Sequence, residues 1–597
     1  MRAVKEVVEN ADSRLETPAA PRRSRADLWA GLTYLVLALL VMSRLWRDPN
    51  GRVLANNDDD HGVFLFMLAH GERVLFHGDN PFFSDRLNVP DGVNMMANTS
   101  VLALSLPMAP VTHWFGPGVS VALLLTLGLA GTAFAWYWVL SRHLVTSRVA
   151  AWIGGLWCGF APTMVSHANG HVNFVSQWVL PFIVWQVLRL REPGRRWRGG
   201  VILGLLIVVQ VFINEESLLF TALALGVFVV AYALMAPARA RSEARPLLAG
   251  LGVAAGLSAA LLAYPLWYQF FAPGNYHGQP FAPDDYATDL ASLVGFARQS
   301  LAGNAELTRQ MSVSSTEDNM FFGPVGFLMV VASVVVLWRS VAARALAVSA
   351  LVLLVASMGP RLVVFGHQTG FPLPFGLISH VPIIDLVSVT RFAMVPATIA
   401  GLLLALATDR MRTVSPRGRR WWQVGLVLAL VPLFPKPLPV VEGTPLPPLF
   451  TQGTWRQYVT DDRSLVTVPL PEVTTGRAGM RWAALNHLEH RSPRGYFMGP
   501  VNPPVDDTGS WNAPRRFTSD LLWQVQAYGV RPRLTGADRE RITADLVHWR
   551  AAVVVLVPGS RNEGPLLDTL TTALGPPRQV GGVQLWDVRS LPVPPQE

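Results

Sequence analysis

Three consecutive carboxylates, Asp58, Asp59 and Asp60, follow the first apolar segment of the chain by about fifteen residues. Such a group can take a proton from an acceptor hydroxyl as a general base. Adjacent acids also resist ionising together, which raises at least one pKa. A divalent cation would relieve the same repulsion, since hard cations prefer carboxylate oxygen, so Asp58–Asp60 is also a candidate cation site. The structural alternative is a solvated acidic turn. Asn214-Glu215-Glu216 interrupts an otherwise continuous apolar stretch from 199 to 235, and acids at membrane depth are costly and mark function. A short hairpin turn is the plainer reading there. His167 and His171 stand four apart with Asn169 and Asn173 between and beside them. They share a face if helical, but no third metal ligand is evident nearby, so hydrogen bonding is the commoner role. Asn94 and Asn98, also four apart, suit sugar hydroxyls or the cap of the next helix. Glu317-Asp318-Asn319 precedes one apolar run, and Arg391 opens another. An arginine there can hold a lipid phosphate by forked hydrogen bonds. A salt bridge to Asp385 or Glu317 is the alternative.

These residues need elements to hold them, and the composition points to a membrane. The chain of 597 residues is 51% hydrophobic and only 15% charged. Soluble domains carry roughly 25% charged residues. About eleven apolar runs, near 28–43, 118–140, 149–166, 172–190, 199–213, 217–235, 247–271, 320–338, 343–358, 391–408 and 421–434, approach the length of a span. The net charge of +9 comes mostly from arginines clustered between runs. That pattern is topology rather than nucleic-acid binding. With the N-terminus cytoplasmic, every arginine cluster falls after an even number of spans, which puts the acids and the C-terminal tail outside. Ser100–Trp114 is apolar but contains Pro107 and Pro110, and counting it as a span would break this parity. It is expected to be interfacial or re-entrant, the alternative being that it crosses and another short run does not. The lone cysteine, Cys158, excludes an internal disulfide.

The expected organisation is a disordered cytoplasmic tail over 1–26, a transmembrane domain over 27–434 with a first outer loop 44–117, a Pro-rich linker 435–450, and a small α/β domain over 451–597. Within that domain Ser464–Pro469, Ala552–Val557 and Gly582–Val588 read as strands. Asp538–Trp549 and Leu566–Leu574 read as helices, the latter stopped by Gly575. No Gly-rich phosphate loop is present, so no nucleotide cofactor is expected. The tail's default role is a lid or scaffold.

With these residues in view, the chain resembles the GT-C superfamily of polytopic membrane glycosyltransferases. The resemblance is carried by Asp58–Asp60, Asn80-Pro81, Pro90–Ser100, His167–Asn173, Glu317-Asp318-Asn319 before Phe321-Phe322-Gly323, and Met358-Gly359-Pro360 leading to Pro372-Leu373-Pro374 and Arg391-Phe392. It covers roughly residues 28–434 and looks most like poorly characterised bacterial members with a C-terminal extracytoplasmic domain. It implies transfer of a sugar from a polyprenyl-phosphate donor to a glycan, lipid or protein acceptor outside the cell membrane. It also implies that an acid of the first outer loop, Asp59 or Asp60 before Asp58, is the base or orienting group. Arg391 would hold the donor phosphate with His171 nearby, and a single displacement would invert the anomeric carbon. A clear Asp-Glu pair and a Trp-Trp-Asp motif are missing. Two other classes compete: a lipid or polysaccharide flippase, against which the lack of an internal repeat speaks, and a non-catalytic envelope scaffold.

Overall fold

The computed structural model of the chain describes residues 25–192, 194–503, 505–511 and 513–594. Most of the expected N-terminal tail lies outside the described residues. Helices occupy all eleven apolar runs: α1 (Arg25–Val41), α4 (Pro117–Val139), α5 and α6 (Arg148–Phe160, Pro162–His167), α7 and α8 (Val172–Val175, Leu180–Arg189), α9 (Arg196–Val211), α10 (Glu215–Met235), α11 (Pro237–Phe271), α12 (Gly323–Val336), α13 (Val341–Ser357), α14 (Met394–Met411) and α15 (Pro416–Leu430). Five helical stretches are long and apolar enough to cross a membrane: Pro117–Leu144, Arg148–His167, Glu215–Met235, Pro237–Phe271 and Val389–Met411. Their surroundings differ. In Glu215–Met235 only 11% of the apolar window is buried by protein, against 83% for Arg148–His167. The first therefore leaves most of its apolar surface uncovered by protein, and the second is a central post.

Small residues let the central post approach its neighbour. Gly155 and Gly159 of α5 lie against Ala133 of α4, and a Cβ on Gly159 would sit 2.5 Å from the Ala133 Cβ. Small residues at this spacing admit close helix packing. That contact sets the end of α6, where His167 lies.

Two helices cover the acid-bearing side. The acids expected in a loop instead form the first turn of α2 (Asp58–His77). Negative charge at a helix N-terminus is favoured by the exposed N–H groups and the helix dipole. Apolar residues on the buried side of α2, including Leu65 and Leu68, join the core of the helical domain. The Pro107/Pro110 segment is α3 (Leu102–Phe115), which lies against α2. Its 14 residues extend about 21 Å at 1.5 Å per residue, well short of the hydrocarbon core.

The Pro-rich stretch expected as a linker is tied down. Its Val440–Glu442 (β2) pairs antiparallel with Arg52–Leu54 (β1), immediately before the acids. Beyond it comes a four-stranded sheet in the order β5-β6-β4-β3, where β3 is Ser464–Val468, β4 Ala551–Leu556, β5 Arg578–Val580 and β6 Val583–Asp587. β3 and β4 are parallel and the other pairs antiparallel. The parallel pair β3 and β4 is buried on both faces, so both strands read as largely apolar runs. Val466, Val468, Val554 and Leu556 face helices α17 (Phe517–Tyr528), α18 (Gly536–His548) and α19 (Glu563–Leu574). Leu465, Val553 and Val555 face Phe450, Trp455 and Trp482. Trp482 belongs to α16 (Arg477–Leu485), whose Met480, Ala483 and Ala484 pack into the helical domain instead. This one amphipathic helix joins the sheet to α2.

The same junction carries a pH-sensitive group. His490 packs tilted against Phe450, and its Nδ1 accepts from Asn486. Complete burial pushes its pKa from 6.5 down to about 3. Between those values the unfolded chain binds a proton that the folded chain refuses, so stability falls as the pH drops below 6.5. The loss is about 1.4 kcal/mol for each pH unit. Denaturation followed at pH 7 and pH 5 should show it, and His490→Phe should flatten the difference. An unchanged pH slope in that variant would contradict the assignment.

Candidate active site

The ends of α2, α6, α7, α10 and α14 and the loop before α12 converge on one polar network. At its centre is Asp60. Its Oδ2 lies 2.7 Å from His171 Nε2 and accepts from Asn57 Nδ2 at 3.0 Å, while its Oδ1 accepts from the Tyr496 hydroxyl at 3.0 Å. Burial opposes ionisation, but His171, Asn57 and Tyr496 outweigh it and hold the carboxyl well below its usual range. The network continues through His171 Nδ1, 2.9 Å from His167 Nδ1. His167 Nε2 then faces Glu317 at 3.8 Å. Glu317 accepts from Arg391 Nε at 2.9 Å, and Arg391 Nη1 donates to Glu216 at 2.8 Å. Asn319 donates to Glu317 at 2.9 Å and is itself fixed by Thr163. Burial again opposes charge on Glu317, yet Arg391 and the histidines pull its pKa below the ordinary value.

The three aspartates have different surroundings. Asp58 is bound by the Arg477 guanidinium. Asp59 has Arg477 only at 3.9 Å and keeps its carboxylate free of side-chain hydrogen bonds among the described residues. Burial, then the charge of Asp60, raise its pKa from 3.8 to about 6 despite Arg477. One arginine neutralises much of the acidic turn, and a set of residues better suited to a cation lies elsewhere. Ligand atoms of His167, His171 and Glu317 all lie within 4.8 Å of one another. The third ligand not evident near the histidines in sequence comes from a loop some 150 residues later. Among the described residues His167 Nε2 is buried without a hydrogen-bond partner, so its lone pair is free to ligate.

Arg391 pairs with Glu317, as one of the two readings held, and with Glu216 rather than Asp385. Its guanidinium also lies 4.6 Å over the Phe174 ring. Glu215 points elsewhere and accepts from Gln269. Asn94 and Asn98 stand apart from the network and hold backbone. Asn94 donates to Tyr268 and Pro273 carbonyls, and Asn98 exchanges bonds with Met498. A narrow cleft opens beside Glu317, lined also by Tyr286, Thr288, Asp289, Asn319 and Thr390.

Sequence reasoning missed Arg477 and Tyr496. They lie 419 and 436 residues from the acids they bind, in a segment read only as lid or scaffold. Nothing local marks them.

The fold has relatives among solved structures. The crystal structure of the Archaeoglobus fulgidus oligosaccharyltransferase in the apo form matches with a TM-score of 0.51 and 12% identity, covering 89% of this chain and 70% of that one. The archaeal oligosaccharyltransferase AglB from the same organism, in complex with an inhibitory peptide and a dolichol-phosphate, matches at 0.48 and 12%, over 89% and 69%. The complex of the Archaeoglobus fulgidus enzyme with Zn and sulfate matches at 0.47 and 10%, over 88% and 67%. The first of these shows that the chain shares the fold of that enzyme. No curated protein matches the sequence. A family model described as a domain of unknown function matches residues 73–433, well over half of the chain, which therefore belongs to that family, DUF6311.

Proposed function

We propose that the protein is a membrane glycosyltransferase. It moves a sugar from a polyprenyl-phosphate donor to an extracytoplasmic acceptor, with Asp59 as the base. The observation that carries this reading is the buried network from Asp60 through His171 and His167 to Glu317, Arg391 and Glu216, with an uncommitted carboxylate at its edge. A scaffold has no use for so many buried charges, each costly unless paired.

Asp59 fits the base better than Asp60. A general base works best with a pKa near the working pH and free lone pairs. Asp59 has a pKa raised to about 6 and, among the described residues, no side-chain partner to give up but Arg477 at 3.9 Å. Asp60 is ionised but spends both oxygens on His171, Asn57 and Tyr496. Its role is to hold the network and to keep Asp59 basic by its charge. The acceptor hydroxyl gives its proton to Asp59 and attacks the anomeric carbon. The sugar–phosphate bond breaks, and the phosphate leaves still attached to its lipid. Arg391 keeps one terminal nitrogen outside its two ion pairs, and that nitrogen holds the phosphate in this reading. His167, His171 and Glu317 fit a divalent cation by donor type and spacing. Such an ion supplies positive charge for a leaving phosphate.

In this reading α10 and α11 face lipid, the acid-bearing side is extracytoplasmic, and the sheet domain lies over it. Arg477 and Tyr496 make that domain part of the site. Tyr496→Phe removes one hydrogen bond to an ionised carboxylate, worth about 1.5–3 kcal/mol. Transfer from a polyprenyl-phosphate sugar by the full chain in membranes should fall about 10- to 100-fold, with normal insertion. Unchanged transfer in Tyr496→Phe would remove the sheet domain from the mechanism. Wild-type chain that transfers no sugar from any such donor would overturn the reading.

A further inference from the structure

Between α13 and α14, residues 362–384 hold no acid, arginine or lysine; the titratable side chains there are His367 and His380. In water such a segment would turn its large apolar side chains inward. Here Leu377 is 88% exposed, and Phe371, Ile378, Val381 and Ile383 are exposed with it. Ile383 stays so although its backbone is held at φ +77°, a costly conformation for a β-branched residue. The opposite side is anchored. Phe375 is buried in one cluster with Phe220 of α10, Leu353 of α13 and Phe392. The rings of Phe375 and Phe392 lie 5.8 Å apart, and those of Phe392 and Phe220 4.9 Å. Phe220 is about 7.5 Å along α10 from its first residue, and Leu353 about 6 Å from the last of α13. The segment therefore hangs one turn or more below the ends of both helices. Its backbone is satisfied from within. Gly376, Ile378, Val381 and Ile384 donate to the carbonyls of Leu373, Phe375, Ile378 and Val381, and Arg361–Val364 pairs with His367–Pro372 as a short hairpin. Non-helical backbone at membrane level requires such internal partners.

We propose that residues 374–384 dip into the bilayer leaflet on the acid-bearing side, with Leu377, Ile378, Val381 and Ile383 set against its acyl chains. The inference rests on the reading that α10 faces lipid. Continuity favours lipid as the occupant: α10, which carries the Phe220 anchor, leaves most of its apolar surface uncovered by protein, and the exposed side chains prolong that surface. Depth agrees, since interfacial elements sink their apolar faces about 5–10 Å into the headgroup and acyl boundary. Charge agrees too. Arg361, the charge that precedes the segment, is taken up by Asp284 in the loop before α12. The segment runs on into Thr390 and Arg391, so it fixes that end of the polar network at the level of the lipid headgroups.

The test uses the full chain in phosphatidylcholine vesicles. Cys158, the only cysteine, is buried, so an introduced surface cysteine takes an environment-sensitive nitrobenzoxadiazole dye, with wild type as the blank. Leu377→Cys and Ile378→Cys are compared with two references. Gly226→Cys is an exposed position about 16 Å along α10, where a Cβ meets nothing within 4 Å. Thr572→Cys is exposed on α19 of the sheet domain. Dye at 377 and 378 should emit to the blue of dye at 572. It should lose most of its emission to lipid spin-labelled near the headgroup and less to lipid spin-labelled near the chain end, and dye at 226 should show the reverse order. Iodide quenching at 377 and 378 as strong as at 572 would put the segment in water and overturn the proposal. Blue-shifted emission that no spin-labelled lipid quenches would overturn it in favour of a protein contact. Lipid quenching at 226 but not at 377 or 378 would remove this inference alone. Quenching at none of the three would also remove the lipid-facing reading of α10.

Discussion

Asp59→Asn should lower sugar transfer by about 10²- to 10⁴-fold, the usual range for losing a general base. The protein should still insert and fold, because Asp59 makes no side-chain hydrogen bond and its nearest cation is 3.9 Å away. Asp58→Asn should cost far less activity, since that carboxylate is already spent on Arg477. The pH profile carries the same argument. With Asp59 at about 6, transfer should rise through pH 6 and level off above it. Asp60 stays ionised across that range, and its charge is the second cause of the raised pKa. Residual activity in Asp60→Asn should therefore show its acid limb moved below pH 6. An acid limb that stays in place in both Asp59→Asn and Asp60→Asn would assign the titration to another group.

The second large effect is on stability. Arg391 is shared by Glu317 and Glu216, and Glu317 is only 4% exposed. Removing one partner of a buried ion pair costs about 3–5 kcal/mol, because the remaining charge has no compensation. Arg391→Leu leaves two carboxylates without their cation and should unfold at markedly lower denaturant or temperature. Arg391→Lys should recover only part, since one ammonium cannot reproduce a fork that donates Nε and Nη1 to different acids. Adding Glu317→Gln to Arg391→Leu should restore part of the stability by taking away the more buried of the two unpaired charges. A double variant no better than Arg391→Leu would mean that the arginine acts through packing on Phe174 instead.

Much of this site was visible in the sequence for one physical reason. Charged residues inside apolar stretches are expensive, so Glu216, Glu317 and Arg391 stood out wherever they lay. What the sequence could not supply was distance. His167 and His171 looked two-liganded because Glu317 lies 150 residues away from one of them, and only the packing of α5 and α6 against the loop before α12 joins them. Arg477 and Tyr496 sit in a polar tail where another arginine or tyrosine carries no signal. The acids were read as a loop although three carboxylates ahead of an apolar run are a helix start. Asn57 and Asn169 show why the loop reading failed: Asn57 bridges the first turn of α2 to the Asn169 carbonyl beside the histidines. Asn94 and Asn98 were selected by a spacing that sugar binding and backbone anchoring share. The parallel strands of the C-terminal sheet were legible because two-sided burial leaves largely apolar runs. The Pro-rich stretch was misjudged because one short strand, Val440–Glu442, finds its partner nearly 390 residues earlier.

The central claim is that a bond to sugar is broken here rather than a lipid moved. The direct measurement uses purified protein in liposomes carrying a polyprenyl-phosphate sugar labelled separately in the sugar and in the lipid, with a mixed pool of soluble and lipid acceptors. The account predicts that the sugar label leaves the polyprenyl phosphate in wild type and stays on it in Asp59→Asn. Intact donor crossing the bilayer with both labels together, equally in wild type and Asp59→Asn, would contradict it.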